Sequence, residues 1–230
     1  MTAMDELRDD PLAFLRHYYL VLAPELFDPA PKDVFSDGTV RIILEDTTND
    51  YFANQVKRPR HRRGLGKLAA KFGASQRVKA TRQYKVRLAA YADIDITSAY
   101  ICPYIPGQTR TRTVGNWANL MFTAELTGCT FGVGSVARDG TQLVCHANDA
   151  NAGMVGGALG QQNAQQQQAQ NVLGGTPTLF EPSQYRPATT TLDMRSAIVG
   201  VRKNDVWQFW AQVFEFTGTG LADMNLVQIA

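Results

Sequence analysis

Residues 130–147 read TFGVGSVARDGTQLVCHA, and this stretch sets the fold class. Two apolar runs flank Arg138-Asp139-Gly140, a turn tripeptide. Asp-Gly between such runs is a strong short-range hairpin signal, so strands are expected over 130–137 and 141–147. Outward from the hairpin, the same period-2 character returns. Tyr84, Val86 and Leu88 alternate with Lys85 and Arg87, a half-buried strand. Thr39-Val-Arg-Ile-Ile-Leu44 follows the Asp37-Gly38 turn as another. Residues 195–217 hold two more strand runs, Ala197–Val201 and Val206–Phe214.

Helical signals are fewer. Asp10-Pro11 opens a helix, with Asp as N-cap and Pro at the first helical position. Leu12, Leu15, Tyr18, Tyr19 and Leu22 continue it as an apolar stripe up to Pro24. Thr48-Asn-Asp50 is a candidate cap for a short helix, and a second short helix is expected near residues 65–72. Residues 151–175 are of low complexity, with seven glutamines among the ten residues 161–170 and glycines on both sides. That composition has little apolar surface to bury, so a mobile loop is expected there. The sum is a single domain over residues 1–230 of the α+β class: a mixed, mostly antiparallel β-sandwich core flanked by helices.

Composition excludes several classes. Of 230 residues, 44% are hydrophobic and 19% charged, as in ordinary globular chains rather than disordered or fibrous ones. No apolar run approaches the roughly 18 residues a membrane helix needs, so no membrane span is expected. The acidic N-terminus MTAMDELRDDP lacks a basic region followed by an apolar one, so no classical signal peptide is expected. Cys102, Cys129 and Cys145 are too few for a disulfide scaffold, and no CxxC or HxxxH spacing implies a metal.

Net charge is +2, but it is unevenly spread. Residues 1–50 carry eleven acidic and four basic side chains, whereas residues 51–92 carry twelve basic and no acidic ones. The basic segment 57–87 contains Lys57, Arg58, Arg60, Arg62, Arg63, Lys67 and Lys71 in its first part. It suits nucleic acid or an anionic surface, or is balanced by the acidic N-terminal segment. Lys57-Arg-Pro-Arg-His-Arg-Arg63 also has the form of a nuclear localisation run. Aromatic residues for base stacking are sparse in it.

The chemistry-bearing pair is Leu126-Thr-Gly-Cys129 with His146 downstream. A histidine within hydrogen-bond reach turns a thiol into a thiolate nucleophile. Gly128 permits a sharp turn that can aim backbone N–H groups at an oxyanion. The competing reading makes Cys129 a buried small hydrophobe and His146 a satisfied strand residue. Spacing alone counts against the pair. A two-residue turn at Asp139-Gly140 puts His146 opposite Val133, four residues from Cys129, or roughly 13 Å along a strand. A bulge would close that gap, and Gly132 and Gly134 would allow one. Cys145, on the opposite strand face from His146, is a rival nucleophile that packs inward. The aromatic residues Trp207, Phe209, Trp210, Phe214 and Phe216 read as core on two sheet faces.

The segment Asn119–Cys129, with Asp139-Gly140 and Val144-Cys-His146, resembles the catalytic segment of the Burkholderia lethal factor-like and cytotoxic necrotizing factor-type glutamine deamidase toxins. Thr127 stands where that group has serine in Leu-Ser-Gly-Cys. Weaker similarity extends over Pro103–Val114 and Ser196–Thr217. The resemblance implies the deamidase sandwich fold, a Cys129–His146 thiol mechanism and Thr123 as a third residue that orients the histidine. It implies no cofactor and no metal. The partner it implies is a protein substrate, a host DEAD-box translation initiation helicase before a Rho-family GTPase, reached by an effector secreted or translocated into a target-cell cytosol. The basic band and the glutamine-rich segment have no counterpart in that group. An alternative is a non-catalytic nucleic-acid-binding protein using residues 57–87.

Overall fold

The computed structural model describes residues 2–27, 38–48, 76–78, 82–149, 153–186, 193–217 and 220–230. Most of these are strands, with a few helices, an α+β architecture. Two short helices, α1 (Ala3–Asp9) and α2 (Pro11–His17), open the chain. The Asp10 carboxylate accepts from Ala13 N–H and Pro11 takes the first helical position, as the sequence implies. The expected single helix up to Leu22 does not form. Helix α2 stops at His17, and Tyr18–Leu22 is strand β1, paired in parallel with β4 (Arg82–Leu88). Tyr, Tyr and Val suit a pleated half-buried surface better than a further helical turn. Pro24–Phe27 then forms a short 3-10 turn.

The remaining strands are β2 (Thr39–Asp46), β3 (Gln76–Val78), β5 (Thr97–Cys102), β6 (Thr109–Val114), β7 (Leu120–Leu126), β8 (Thr130–Val136), β9 (Gln142–Ala147), β10 (Thr178–Phe180), β11 (Asp193–Lys203), β12 (Val206–Thr217) and β13 (Gly220–Gln228). They make a nine-stranded sheet, β1-β4-β2-β5-β7-β11-β12-β13-β3, and a four-stranded one, β10-β8-β9-β6. Among the described residues, only β1–β4 and β5–β7 pair in parallel.

Strand alternation explains the layers. From β5, Ala99 and Ile101 enter one apolar cluster and Tyr100 and Cys102 another. From β11, Ala197 and Val199 go one way and Ile198 the other. The first cluster lies under α1 and α2, which add Met4, Leu7, Phe14 and Leu15. The second joins the large sheet to the small one, with Phe131 of β8 against Phe209 of β12 at 5.8 Å between ring centroids. Both faces of the large sheet are therefore buried, which is why its strands read as nearly continuous apolar runs. The sheet also curls. Edge strand β1 reaches back to β12, with Tyr19 4.8 Å from Phe214. The buried Gln212 amide pins that closure: it donates to Leu15 and Tyr18 carbonyls at 2.9 and 2.8 Å and accepts from Leu20 N–H at 3.2 Å.

The glutamine-rich stretch expected as a mobile loop is instead helix α3 (Gly153–Leu173), broken at Gly157, where φ is +60°. Glutamine is a good helix former, and here it also supplies packing through polar contacts. Gln165 and Ala169 are buried, and Leu173 continues the stripe one turn on. The helix covers Cys145 and Ala147 on the outer face of the small sheet. Helix α4 (Pro182–Tyr185) follows β10.

Candidate active site

The hairpin forms where the sequence puts it, but its register differs from that of a two-residue turn. The loop has three residues, closed by Ala137 N–H on Thr141 O at 2.8 Å, with Gly140 at φ +80°. A further residue bulges between Val133 and Val136, where Gly134 sits. Each change carries His146 one residue toward Cys129, so it lies opposite Phe131 rather than Val133. Cys129 is two residues before Phe131, on the same face. Such diagonal neighbours are roughly 7–8 Å apart, within side-chain reach.

His146 points between the two sheets and is fully buried. Thr123, in the centre of β7, meets it there: its Oγ1 lies 2.8 Å from Nδ1 of the imidazole. The same hydroxyl donates to the Cys102 carbonyl at 3.1 Å. Having one proton to give, Thr123 gives it to Cys102, so Nδ1 carries the imidazole hydrogen and Nε2 keeps its lone pair. That Nε2 is buried without a hydrogen-bond partner.

Cys129 sits at the mouth of β8 after Gly128, whose φ of +136° disfavours other residues. Two helices hold this turn. The Tyr185 hydroxyl of α4 accepts from Gly128 N–H and donates to Cys129 O, both at 2.9 Å. Gln165 of α3 donates to Gly128 O and accepts from Thr130 Oγ1, both at 3.0 Å. Gly128 N–H is thus engaged by Tyr185 and is not free to serve as one of the oxyanion donors.

Burial sets the protonation states. It pushes the Cys129 thiol up to about 11, against a smaller downward pull from the Thr127 backbone. It pushes His146 down to about 3. The resting pair is therefore a neutral thiol and a neutral imidazole. Cys145, the rival nucleophile, is pushed up to about 12 and faces α3, away from His146. Cys102 is also raised by burial.

Two residues that sequence reasoning missed complete the surroundings. Tyr104, half-buried in the loop after β5, lays its ring 5.0 Å from His146. Asn148 follows β9 on the same face as His146 and donates from Nδ2 to the Tyr104 hydroxyl at 2.8 Å. Burial raises the Tyr104 hydroxyl's pKa, the neighbouring Cys129 sulfur adds to this, and Asn148 opposes it. Asn148 had a legible signal, its place two residues after His146 on a strand. Tyr185 and Gln165 had none, since they reach the site from distant elements.

Lys57, Arg58, Arg60, Arg62, Arg63, Lys67 and Lys71 lie outside the described residues, as does the helix expected near 65–72; of residues 48–50 only Thr48 is described, as helical. Of the band's described members, Arg87 is bound internally, to Asp93 at 2.8 Å and Glu45 at 3.3 Å. Trp207 and Phe209 stack within the core between the sheets, as expected of the aromatic group. Among the described residues no group of three or more His, Cys, Asp or Glu could hold a metal ion. No helix among them is long and apolar enough to cross a membrane. The chain matches no protein-family model, and comparison with curated proteins gave no match.

Proposed function

We propose that the chain is a cysteine-dependent protein glutamine deamidase with the sandwich fold of the necrotizing factor catalytic domains. The observation that carries this reading is the Thr123–His146 hydrogen bond of 2.8 Å, which leaves Nε2 bare on the face that bears Cys129. A structural histidine would have both nitrogens satisfied.

In the reaction, Cys129 Sγ attacks the carboxamide carbon of a glutamine while its proton passes to His146 Nε2. The tetrahedral intermediate collapses as the imidazolium returns that proton to the amide nitrogen. Ammonia leaves and a thioester remains. Nε2 then takes a proton from water, the hydroxide adds to the thioester carbon, and the C–S bond breaks. Glutamate and the free thiol result. Thr123 holds the Nδ1–H tautomer throughout, the role of a triad's third member.

The family resemblance makes a DEAD-box translation initiation helicase the first substrate to try and a Rho-family GTPase the second. It makes the setting a target-cell cytosol, with arrested translation as the consequence. The test is mass spectrometry of cell extract and of purified helicase after exposure to wild type or Cys129→Ser. Conversion of single glutamines to glutamate by wild type alone is expected. No conversion with either protein, in extract or on helicase and GTPase, refutes the reading. RNA binding by both proteins alike would then favour the basic segment 57–87, whose twelve cations face no acidic neighbour in sequence.

A further inference from the structure

Asn148 is 6% exposed, and its two polar atoms are treated unequally. Nδ2 is bound to the Tyr104 hydroxyl at 2.8 Å, whereas Oδ1 is buried with no hydrogen-bond partner. An unpaired buried acceptor is costly, and a ligand that brings an N–H to it relieves that cost. The hairpin register places it well for that. Thr130 pairs with Ala147, so Cys129 and Asn148 are the next residues on the two strands. The two unpaired atoms of this wall, His146 Nε2 and Asn148 Oδ1, come from residues two apart on one face. Cys129, His146 and Asn148 thus share one face of the hairpin, with the Tyr104 ring packed 5.0 Å from the imidazole.

We propose that Asn148 is the residue that selects a primary carboxamide: its Oδ1 accepts an N–H from the substrate's terminal amide while Cys129 attacks the carbon. This rests on the deamidase reading and deepens it, because it names the group recognised. A carboxylate offers no N–H and brings a negative charge against a lone pair, so the product glutamate is rejected by the same atom that held glutamine. Tyr104 is the positioning residue. By accepting from Nδ2 it fixes the amide flip that turns Oδ1 inward, and its own O–H stays free to donate toward the substrate carbonyl.

The test uses two alkylating probes of one size, iodoacetamide and iodoacetate, which carry the amide and the acid. The full chain is treated with each at pH 9, and modification of Cys129 is followed by peptide mass spectrometry. The same chain unfolded in urea gives the intrinsic amide-to-acid rate ratio. The native ratio should exceed it about tenfold or more. Asn148→Leu should return it to the unfolded value, and Tyr104→Phe should lower it partway. A native ratio equal to the unfolded one overturns the proposal. So does an Asn148→Leu protein with an unchanged melting transition that keeps the preference. Should Asn148→Leu fail to fold, Tyr104→Phe decides, since it removes one hydroxyl from a half-buried ring; an unchanged ratio there overturns the proposal equally. Glutamine conversion without the alkylation preference would leave the deamidase standing and this inference refuted. The preference without conversion would keep the inference and refute the hydrolysis.

Discussion

Replacing Thr123 by valine removes one hydroxyl and leaves the shape of the side chain nearly intact. The hydroxyl makes two contacts, one accepting from His146 Nδ1 and one donating to Cys102 O. Loss of the second forfeits an ordinary net hydrogen bond, about 0.5–1.5 kcal/mol, and loss of the first strands a fully buried N–H, about 1–3 kcal/mol. Together the expected destabilisation is roughly 2–4 kcal/mol, which in a chain of this size lowers Tm by roughly 5–15 °C. Thr123→Ser is the control. It keeps the oxygen and loses one buried methyl, costing about 1 kcal/mol. The catalytic effect separates the two further. With valine nothing holds the Nδ1–H tautomer, and ammonia release from a glutamine substrate should fall at least about 10²-fold, while serine keeps most of it. Urea titration gives the stability, ammonia release the rate, and ¹⁵N shifts of His146 report which ring nitrogen carries hydrogen. Equal stability and equal rate for the valine and serine variants would refute the reasoning, because the hydroxyl bridge would then do nothing.

Two other consequences concern the folded chain. His146 is held neutral by burial, with its pKa pushed down to about 3, whereas in the unfolded chain it titrates near 6.5. Between those values only the unfolded state binds the proton, so this group's contribution to stability is intact above about pH 6.5 and is lost as pH falls toward 3. Urea titrations of wild type and His146→Gln should therefore converge by about 1.4 kcal/mol per pH unit between pH 6 and 4; parallel curves would mean that His146 is charged or exposed. Gln212→Leu should cost roughly 2–4 kcal/mol, because Leu15 O, Tyr18 O and Leu20 N–H all lose their buried partner. A wild-type urea midpoint in that variant would show that β1 closes on β12 without the amide.

Local signals in the sequence were sound where backbone chemistry is local. The Asp10-Pro11 cap, the Thr39 strand and both arms of the 130–147 hairpin are in place. What the sequence could not fix was register. A three-residue loop in place of two, and one bulged residue near Gly134, each move the pairing by one, and neither changes the apolar pattern that announces the strands. Thus the same 18 residues that reveal the hairpin leave the Cys129–His146 separation open by a factor of about two. Helix α3 was hidden for a different reason. Gln165, Ala169 and Leu173 fall at i, i+4 and i+8, but two of the three are small or polar, so hydropathy sees no stripe. Its docking is by hydrogen bonds as well: Gln165 to Thr130 and Gly128, Gln168 to Thr109 and Asp149. A helix that packs through amides is invisible to a search for apolar periodicity.

The same burial that raises the Cys129 thiol and lowers His146 bears on how such a site would work. With its pKa pushed up to about 11, the Cys129 thiol keeps its proton at neutral pH, and His146, pushed down to about 3, stays neutral. That protects the thiol from alkylation and oxidation, both of which need thiolate. In the proposed reaction, proton transfer from Sγ to Nε2 would then accompany attack rather than precede it. An arriving carboxamide would make this possible: its polar atoms would satisfy Asn148 Oδ1 and raise the local polarity, and the charge developing on sulfur would pass at once to the carbonyl oxygen. Selectivity and activation would then come from one event, the filling of the unpaired acceptor beside the thiol.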